Sequence, residues 1–204
     1  MTDPRSFELS GGELCLDFAN TLEDRPLGLK ENLAGWRDLL AFGEQASLVS
    51  KRQAAALRRV GEARPRAADR GFAGALALRE CVYRVFQAVA AGRAPARADL
   101  ASVNAALSAA LPHARVEPKD GGFAWGWSDD EPTLERILWP IARSAAELLV
   151  SDARVDVREC ASETCSWLFM DRSPRRVRRW CSMKTCGNRD KVRRFYERQR
   201  AAGR

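Results

Sequence analysis

Histidine occurs once in the 204 residues, at His113 beside Pro112. A single imidazole leaves no second member for a His-based catalytic relay or a histidine-rich metal site. The G-x-G-x-x-G loop, the P-loop, G-x-S-x-G and H-E-x-x-H are also missing, so the commonest nucleotide and hydrolase chemistries have no foothold. The carboxylate run Asp129-Asp130-Glu131 reads as a solvated helix entry, and no enzyme is expected. Long apolar runs are absent too. The best stretch, Ile137 to Val150, is broken by Pro140, Arg143 and Glu147, whereas a bilayer span needs about 18–20 apolar residues. Met1-Thr2-Asp3-Pro4-Arg5 has neither the charged region nor the apolar run of a secretory signal. These absences predict a cytoplasmic chain with no membrane partner, in which thiols stay reduced. Lysine is scarce, 5 against 29 arginines. A GC-rich genome produces the same bias, so the arginine preference alone says little.

What is present is an ordinary globular composition, 46% apolar and 30% charged, long enough to bury a core without disulfide staples. The net charge of +7 is unevenly placed. From Ser151 onward there are 15 basic and 7 acidic residues, a net of +8, while the first 150 residues carry −1. A nearly neutral body bearing a strongly basic tail suggests a polyanionic partner, with DNA favoured.

Hydrophobic periodicity predicts a mainly α chain with small β-hairpins. Leu14, Leu16 and Phe18 alternate with Cys15 and Asp17 after the Gly11-Gly12 turn, which fits a short strand, with a helix as the competing reading. Asn32 is placed to cap a helix carrying Leu33, Trp36 and Leu40. Ser50-x-x-Gln53 is a capping box opening a helix to about Val60. A long helix is expected from about Arg66 to Ala91, and another through Leu100, Val103, Leu107 and Leu111, ended by Pro112. Arg115 to Trp127 reads as a hairpin with a loose turn at Pro118–Gly122. The next helix should run from Glu131 and Pro132 with a kink at Pro140. Arg154 to Arg158 alternates like a strand leading into Cys160, so the boundary falls between a helical domain at 1–150 and a module at 151–204. No Gly/Ser linker intervenes, which points to rigid coupling of the two.

Cys160-x4-Cys165 and Cys181-x4-Cys186, fifteen residues apart, carry the most chemistry. Zinc takes four ligands in a tetrahedron, and two short-spaced thiolate pairs supply them from two knuckles. No histidine lies in the tail, so these four cysteines form the complete set for one structural Zn2+. Free buried thiols, a redox pair or an iron–sulfur cluster are the alternatives. Cys15 and Cys81 stand alone in apolar settings and read as core.

Trp180-Cys181-Ser182-Met183-Lys184-Thr185-Cys186-Gly187-Asn188-Arg189 contains the C-G-N-R signature and resembles the bacterial CGNR zinc-finger family. Phe169, Asp171 and the Arg178-Arg179-Trp180-Cys181 run resemble it as well. Gly11 to Thr21 (GGELCLDFANT) is similar to the start of the ABATE-type domain that precedes such fingers. The resemblance implies a stress-induced transcription regulator with all four cysteines on zinc.

Four thiolates around Zn2+ leave a charge of −2, so Arg175, Arg176, Arg178, Arg179, Lys184 and Arg189 serve partly to balance it. The tail still keeps a surplus of positive charge. A helix from Asp190 to about Arg200, with Asn188 as a cap, spreads Arg189, Lys191, Arg193, Arg194 and Arg198 over its surface. Such a helix beside a zinc knuckle suits docking in a DNA groove. A solvated helix on a zinc-stabilised protein-interaction module, or RNA binding, are the other readings. In the body, Asp17, Asn20 and Thr21 together with Trp125 and Trp127 could line a small-molecule effector pocket. The alternative is that the polar three satisfy buried backbone groups.

Overall fold

The alternating stretch after the Gly11-Gly12 turn is a helix. In this computed structural model, which describes residues 6–28, 30–128 and 132–202, α1 spans Leu14–Ala19 and buries Cys15, Leu16, Phe18 and Ala19. The strand reading fails because α1 packs against both the long helix and the sixth helix. With core on more than one side, alternation no longer reports a single face. The expectations for Met1–Arg5 and Asp129–Glu131 lie outside the described residues.

A two-residue pair, β1 (Leu22–Glu23) and β2 (Lys30–Glu31), follows. The helix α2 (Trp36–Gln45) starts later than Asn32 implies, with Gly35 at its N-cap. Asn32 instead donates from Nδ2 to Glu23 Oε1 at 2.6 Å. The helix α3 (Lys51–Ala63) opens with the expected capping box: Ser50 Oγ accepts from Gln53 N at 3.2 Å, and Gln53 Oε1 accepts from Ser50 N at 2.8 Å. Pro65 begins α4 (Pro65–Ala90), where a missing N–H costs nothing.

The next helix, α5 (Arg97–Ala110), has the cleanest apolar spacing but buries only Val103 and Ala110. Val103 is buried, while Leu100 and Leu111 are 37% and 50% exposed. The hairpin β3 (Ala114–Lys119) and β4 (Gly122–Trp127) pairs Val116 with Trp125. Its turn is tight rather than loose. Asp120 and Gly121 both take positive φ, 50° and 78°, the two-residue geometry whose twist matches that of the strands.

A 3₁₀ turn at Leu134–Ile137 leads into α6 (Leu138–Val150). Pro140, expected to kink the helix in its interior, sits in the first turn of α6, where backbone N–H groups lack intrahelical acceptors. Another 3₁₀ turn, Asp152–Asp156, takes most of the segment expected as a strand. Only β5 (Val157–Glu159) remains extended, paired antiparallel with β6 (Leu168–Met170). The helix α7 (Asn188–Ala202) closes the described chain. The fold is mainly helical, with three two-stranded sheets among the described residues.

Packing runs continuously across the shift in composition at Ser151. Val157, Leu168 and Met170 belong to the same buried cluster as Cys15, Leu16, Val82, Phe86 and Leu148. Each such side chain removed from water contributes about 1.5–3 kcal/mol. Polar bonds reinforce the seam. Buried Asn20 donates from Nδ2 to Leu168 O at 2.8 Å, and its Oδ1 accepts from Leu168 N at 2.9 Å. One side chain thus occupies the place of a neighbouring strand. Beside it, Met170 N donates to Gly11 O at 2.8 Å. A Cβ on Gly12, at φ 86°, would stand 3.1 Å from Met170 Cβ, so the glycine pair permits this approach.

Asn20→Ala should therefore cost about 2–6 kcal/mol, because two buried backbone groups lose their partners at about 1–3 kcal/mol each. Urea unfolding followed by tryptophan fluorescence measures it. A loss below about 0.5 kcal/mol, as at ordinary surface positions, would show that the seam does not depend on this side chain.

Candidate metal centre and its basic surround

Cys160 follows β5 directly, and its N–H donates to Trp167 O at 2.8 Å, continuing the β5–β6 pairing into a first knuckle. Cys165 lies in that knuckle, where its N–H bonds Ser162 O at 3.0 Å. Cys181 precedes a single wide helical turn, Met183–Gly187, which contains Cys186 and runs straight into α7. Gly187 N closes this second knuckle on Ser182 O at 3.0 Å.

The four sulfurs lie within 4.8 Å of one another, and all four residues are buried. Cys181 Sγ is 3.8 Å from Cys165 Sγ and 3.7 Å from Cys186 Sγ. A tetrahedral zinc with Zn–S bonds of about 2.3 Å has S···S edges of about 3.8 Å. Disulfides need about 2.05 Å, so the cysteines are free thiols and the redox-pair arrangement is not formed. The neighbouring Cys160 sulfur and burial push the Cys165 thiol up, and Cys160 and Cys165 together with burial do the same to Cys181. Bonds from Cys165 and Cys181 hold Cys160 far down. Four sulfurs this close cannot all ionise without a cation among them, and the donor set suits one structural zinc. Bound there, zinc neutralises thiolate charge and crosslinks the two knuckles, with no open coordination position for catalysis.

Trp167, Phe169 and Trp180 pack around the cysteines. Cys181 N approaches Cys160 Sγ at 3.5 Å, and Arg189 Nη2 donates to Cys186 Sγ at 3.3 Å. Buried Asp171 anchors the intervening loop, accepting from Ser173 N at 3.0 Å and Arg178 N at 2.8 Å. Burial alone would raise its carboxyl, but the Ser173 hydroxyl, which donates at 2.6 Å, and these two N–H groups outweigh it and hold the group below the usual range.

Residues 12–152 match the ABATE family, described as "Putative stress-induced transcription regulator", and residues 157–199 match the CGNR zinc finger. The chain belongs to the ABATE family, with a CGNR zinc finger behind it. Neither match is to an enzyme family. No curated protein matches the chain. No helix among the described residues is long and apolar enough to cross a membrane.

The basic residues divide by what they touch. Arg178 is a brace: its guanidinium lies 4.6 Å over Phe169, Nε donates to Trp180 O at 2.9 Å and Nη2 to Cys181 O. Arg179 stacks over Trp180 at 5.1 Å. Arg176 pairs with Asp156 at 2.9 Å. Arg194 pairs with Asp190 at 2.9 Å, and Arg193 meets Glu163, Asp190 and Glu197. Arg175, Lys184, Lys191 and Arg198 are exposed, with no ion-pair partner among the described residues. Asn188 is not an N-cap, being the first residue of α7. Its Nδ2 donates back to Lys184 O at 3.1 Å, joining the helix to the cysteine turn.

The five residues read as an effector pocket meet different neighbours. Asn20 binds the Leu168 backbone, and Thr21 Oγ1 donates to Phe18 O at 2.8 Å. Thr21 also faces buried Arg79, which forks onto both carboxylate oxygens of Glu31 at 2.6 and 2.7 Å. Asp17 accepts from Gly11 N at 2.7 Å. Trp125, 51% exposed, lies under Arg143 at 4.6 Å, and Trp127 leans on Trp139. Periodicity gave no hint of Arg79. The signal in the sequence is an arginine on the apolar face of α4, between Leu78 and Val82.

Two outcomes follow. Metal analysis should find about one zinc per chain, and Cys186→Ser should lose the metal and the order of the finger; full zinc content in that variant would remove Cys186 from the ligand set. Separately, burial raises the Asp17 carboxyl from 3.8 to about 6. The folded chain then holds a proton that the unfolded chain releases, so stability attributable to Asp17 falls as pH rises between those values. Asp17→Asn keeps an acceptor for Gly11 N and should abolish that fall in urea titrations across the window. An unchanged pH profile would contradict it.

Proposed function

We propose that this protein is a DNA-binding transcription regulator and not an enzyme. On this reading residues 1–150 form a regulatory helical domain and residues 151–204 form the zinc finger that docks on DNA in the cytoplasm. The observation that carries the reading is the group of exposed cations on the finger, among them Arg175, Lys184, Lys191 and Arg198, that have no acidic partner among the described residues, in a family of transcription regulators. Lys191, Arg194 and Arg198 recur at helical spacing on α7, so they share one stripe of its surface. Phosphate neutralisation is their expected work, with base contacts left to side chains that reach a groove edge. Arg178 and Arg189, committed to the Trp180 and Cys181 carbonyls and to the Cys186 sulfur, are assigned to the metal centre instead.

One observation favours a protein partner as the second reading. Val192, Phe195 and Tyr196 stand 55%, 51% and 60% exposed on α7, beside the basic stripe. An apolar strip of this kind suits a helix-in-groove contact.

Fluorescence anisotropy with duplex DNA separates the two. Log affinity should fall with log salt at about 0.9 per neutralised phosphate, and Lys191→Ala with Arg198→Ala should reduce that slope by about 1.8. Phe195→Ala should matter little to the slope. No DNA binding at low salt, or an unaltered slope in the double variant, would favour the interaction module.

A further inference from the structure

A concavity of about 440 Å³ opens where α4, α5 and α6 meet the 152–156 turn, and it shares no lining residue with the cysteine cluster. Val89, Leu100 and Leu149 line it from the three helices, and Val155 from the turn. This is where the apolar spacing of α5 is left uncovered. Leu100 is 37% exposed and Val155 54%, although exposed apolar surface gathered in a hollow is unfavourable unless something covers it. The volume falls in the range of small-molecule sites, about 300–1,000 Å³.

Pro95 and two guanidinium groups, Arg93 and Arg154, complete the lining, and no carboxylate does. The Arg93 side chain has no hydrogen-bond or ion-pair partner among the described residues. Arg154 donates to Ser151 O at 2.7 Å and stands 3.7 Å from the fully exposed carboxylate of Asp152. Two cations against one solvated carboxylate leave a single positive charge, which suits a monoanion. A guanidinium fork matches a carboxylate with two parallel bonds. The apolar lining asks for hydrocarbon behind that headgroup.

We propose that this hollow binds an amphipathic monocarboxylate. Its hydrocarbon covers Val89, Leu100 and Leu149, and its carboxylate lies between Arg93 and Arg154. The site joins the helical body to the turn that runs through Val157 to Cys160, so occupancy ties the approach to the metal centre against α4–α6. Binding here goes beyond the DNA-binding reading and stands whether or not that reading holds.

Calorimetric titration of the zinc-loaded full chain with decanoate, and with decan-1-ol as the uncharged probe, tests it. Decanoate should saturate at about one per chain, and decan-1-ol should bind about tenfold more weakly for want of the charge-assisted bonds. Arg93→Gln with Arg154→Gln should bring decanoate down to the level of the alcohol while zinc content and the thermal transition stay as they were. Leu100→Asp, at a partly exposed position, should weaken both probes. Hydrogen exchange should slow across residues 149–156 when decanoate is bound. Absence of saturable decanoate binding, uptake of several molecules per chain, or undiminished affinity in the double arginine variant would each overturn the proposal.

Discussion

The carboxyl-terminal quarter of the chain depends on four buried sulfurs placed at the corners of a tetrahedron. Their burial raises the cost of ionisation, and their closeness raises it further, so their order requires a cation at the centre. Few apolar side chains support that region otherwise: Trp167, Phe169 and Trp180 surround the cysteines, with little regular structure between them. Structural zinc supplies about 10–16 kcal/mol of apparent binding free energy in comparable small modules. That exceeds what three partly shared aromatic side chains contribute by burial, at about 1.5–3 kcal/mol each. The donors arranged around the sulfurs follow from the same constraint. Arg189 and the Cys181 N–H face sulfur, while Arg178 holds the carbonyls on either side of the Trp180–Cys181 bond.

The metal centre is in turn continuous with the helical body. The pairing of β5 with β6 extends by one bond into the first cysteine knuckle. The same β6 strand presents Leu168 to Asn20 and Met170 to the Gly11 carbonyl. Leu168 and Met170 point their side chains into the core that α1, α4 and α6 share, while Phe169 between them faces the cysteines. The period of two in an extended strand produces this division directly. A three-residue strand thereby has one face in each core, and neither can rearrange without moving the other.

Legibility of these features in the sequence followed the locality of their causes. The cysteine spacing was readable because zinc geometry constrains ligands regardless of the fold around them. The Ser50–Gln53 box and the long α4 were readable because a cap and an amphipathic period are local properties. The entry of α2 was misplaced because Asn32 has the right chemistry for a cap but is bonded to Glu23 across the β1–β2 loop. α1 defied its pattern because tertiary contacts surround it. Asp120-Gly121 carries a tight-turn signature, which the reading of a loose loop from Pro118 to Gly122 passed over. Asn20 was hardest to place. Its partner is 148 residues away, and nothing in a single sequence marks which polar residue will stand in for a strand.

The charge asymmetry between body and tail acquires a finer structure from these contacts. Much of the tail's basic charge is already engaged. Arg178 and Arg189 serve the metal centre, and Arg176, Arg193 and Arg194 face carboxylates. Net charge therefore overstates what is available to a polyanion, because a paired guanidinium must give up one partner to gain another. Arg175, Lys184, Lys191 and Arg198 carry no such penalty. Meeting a polyanion would cost them mainly side-chain ordering, against attraction that salt screens. Charge free of acidic partners lies on the loop before the second knuckle, within it and along α7, and is not spread in proportion to the basicity of the tail.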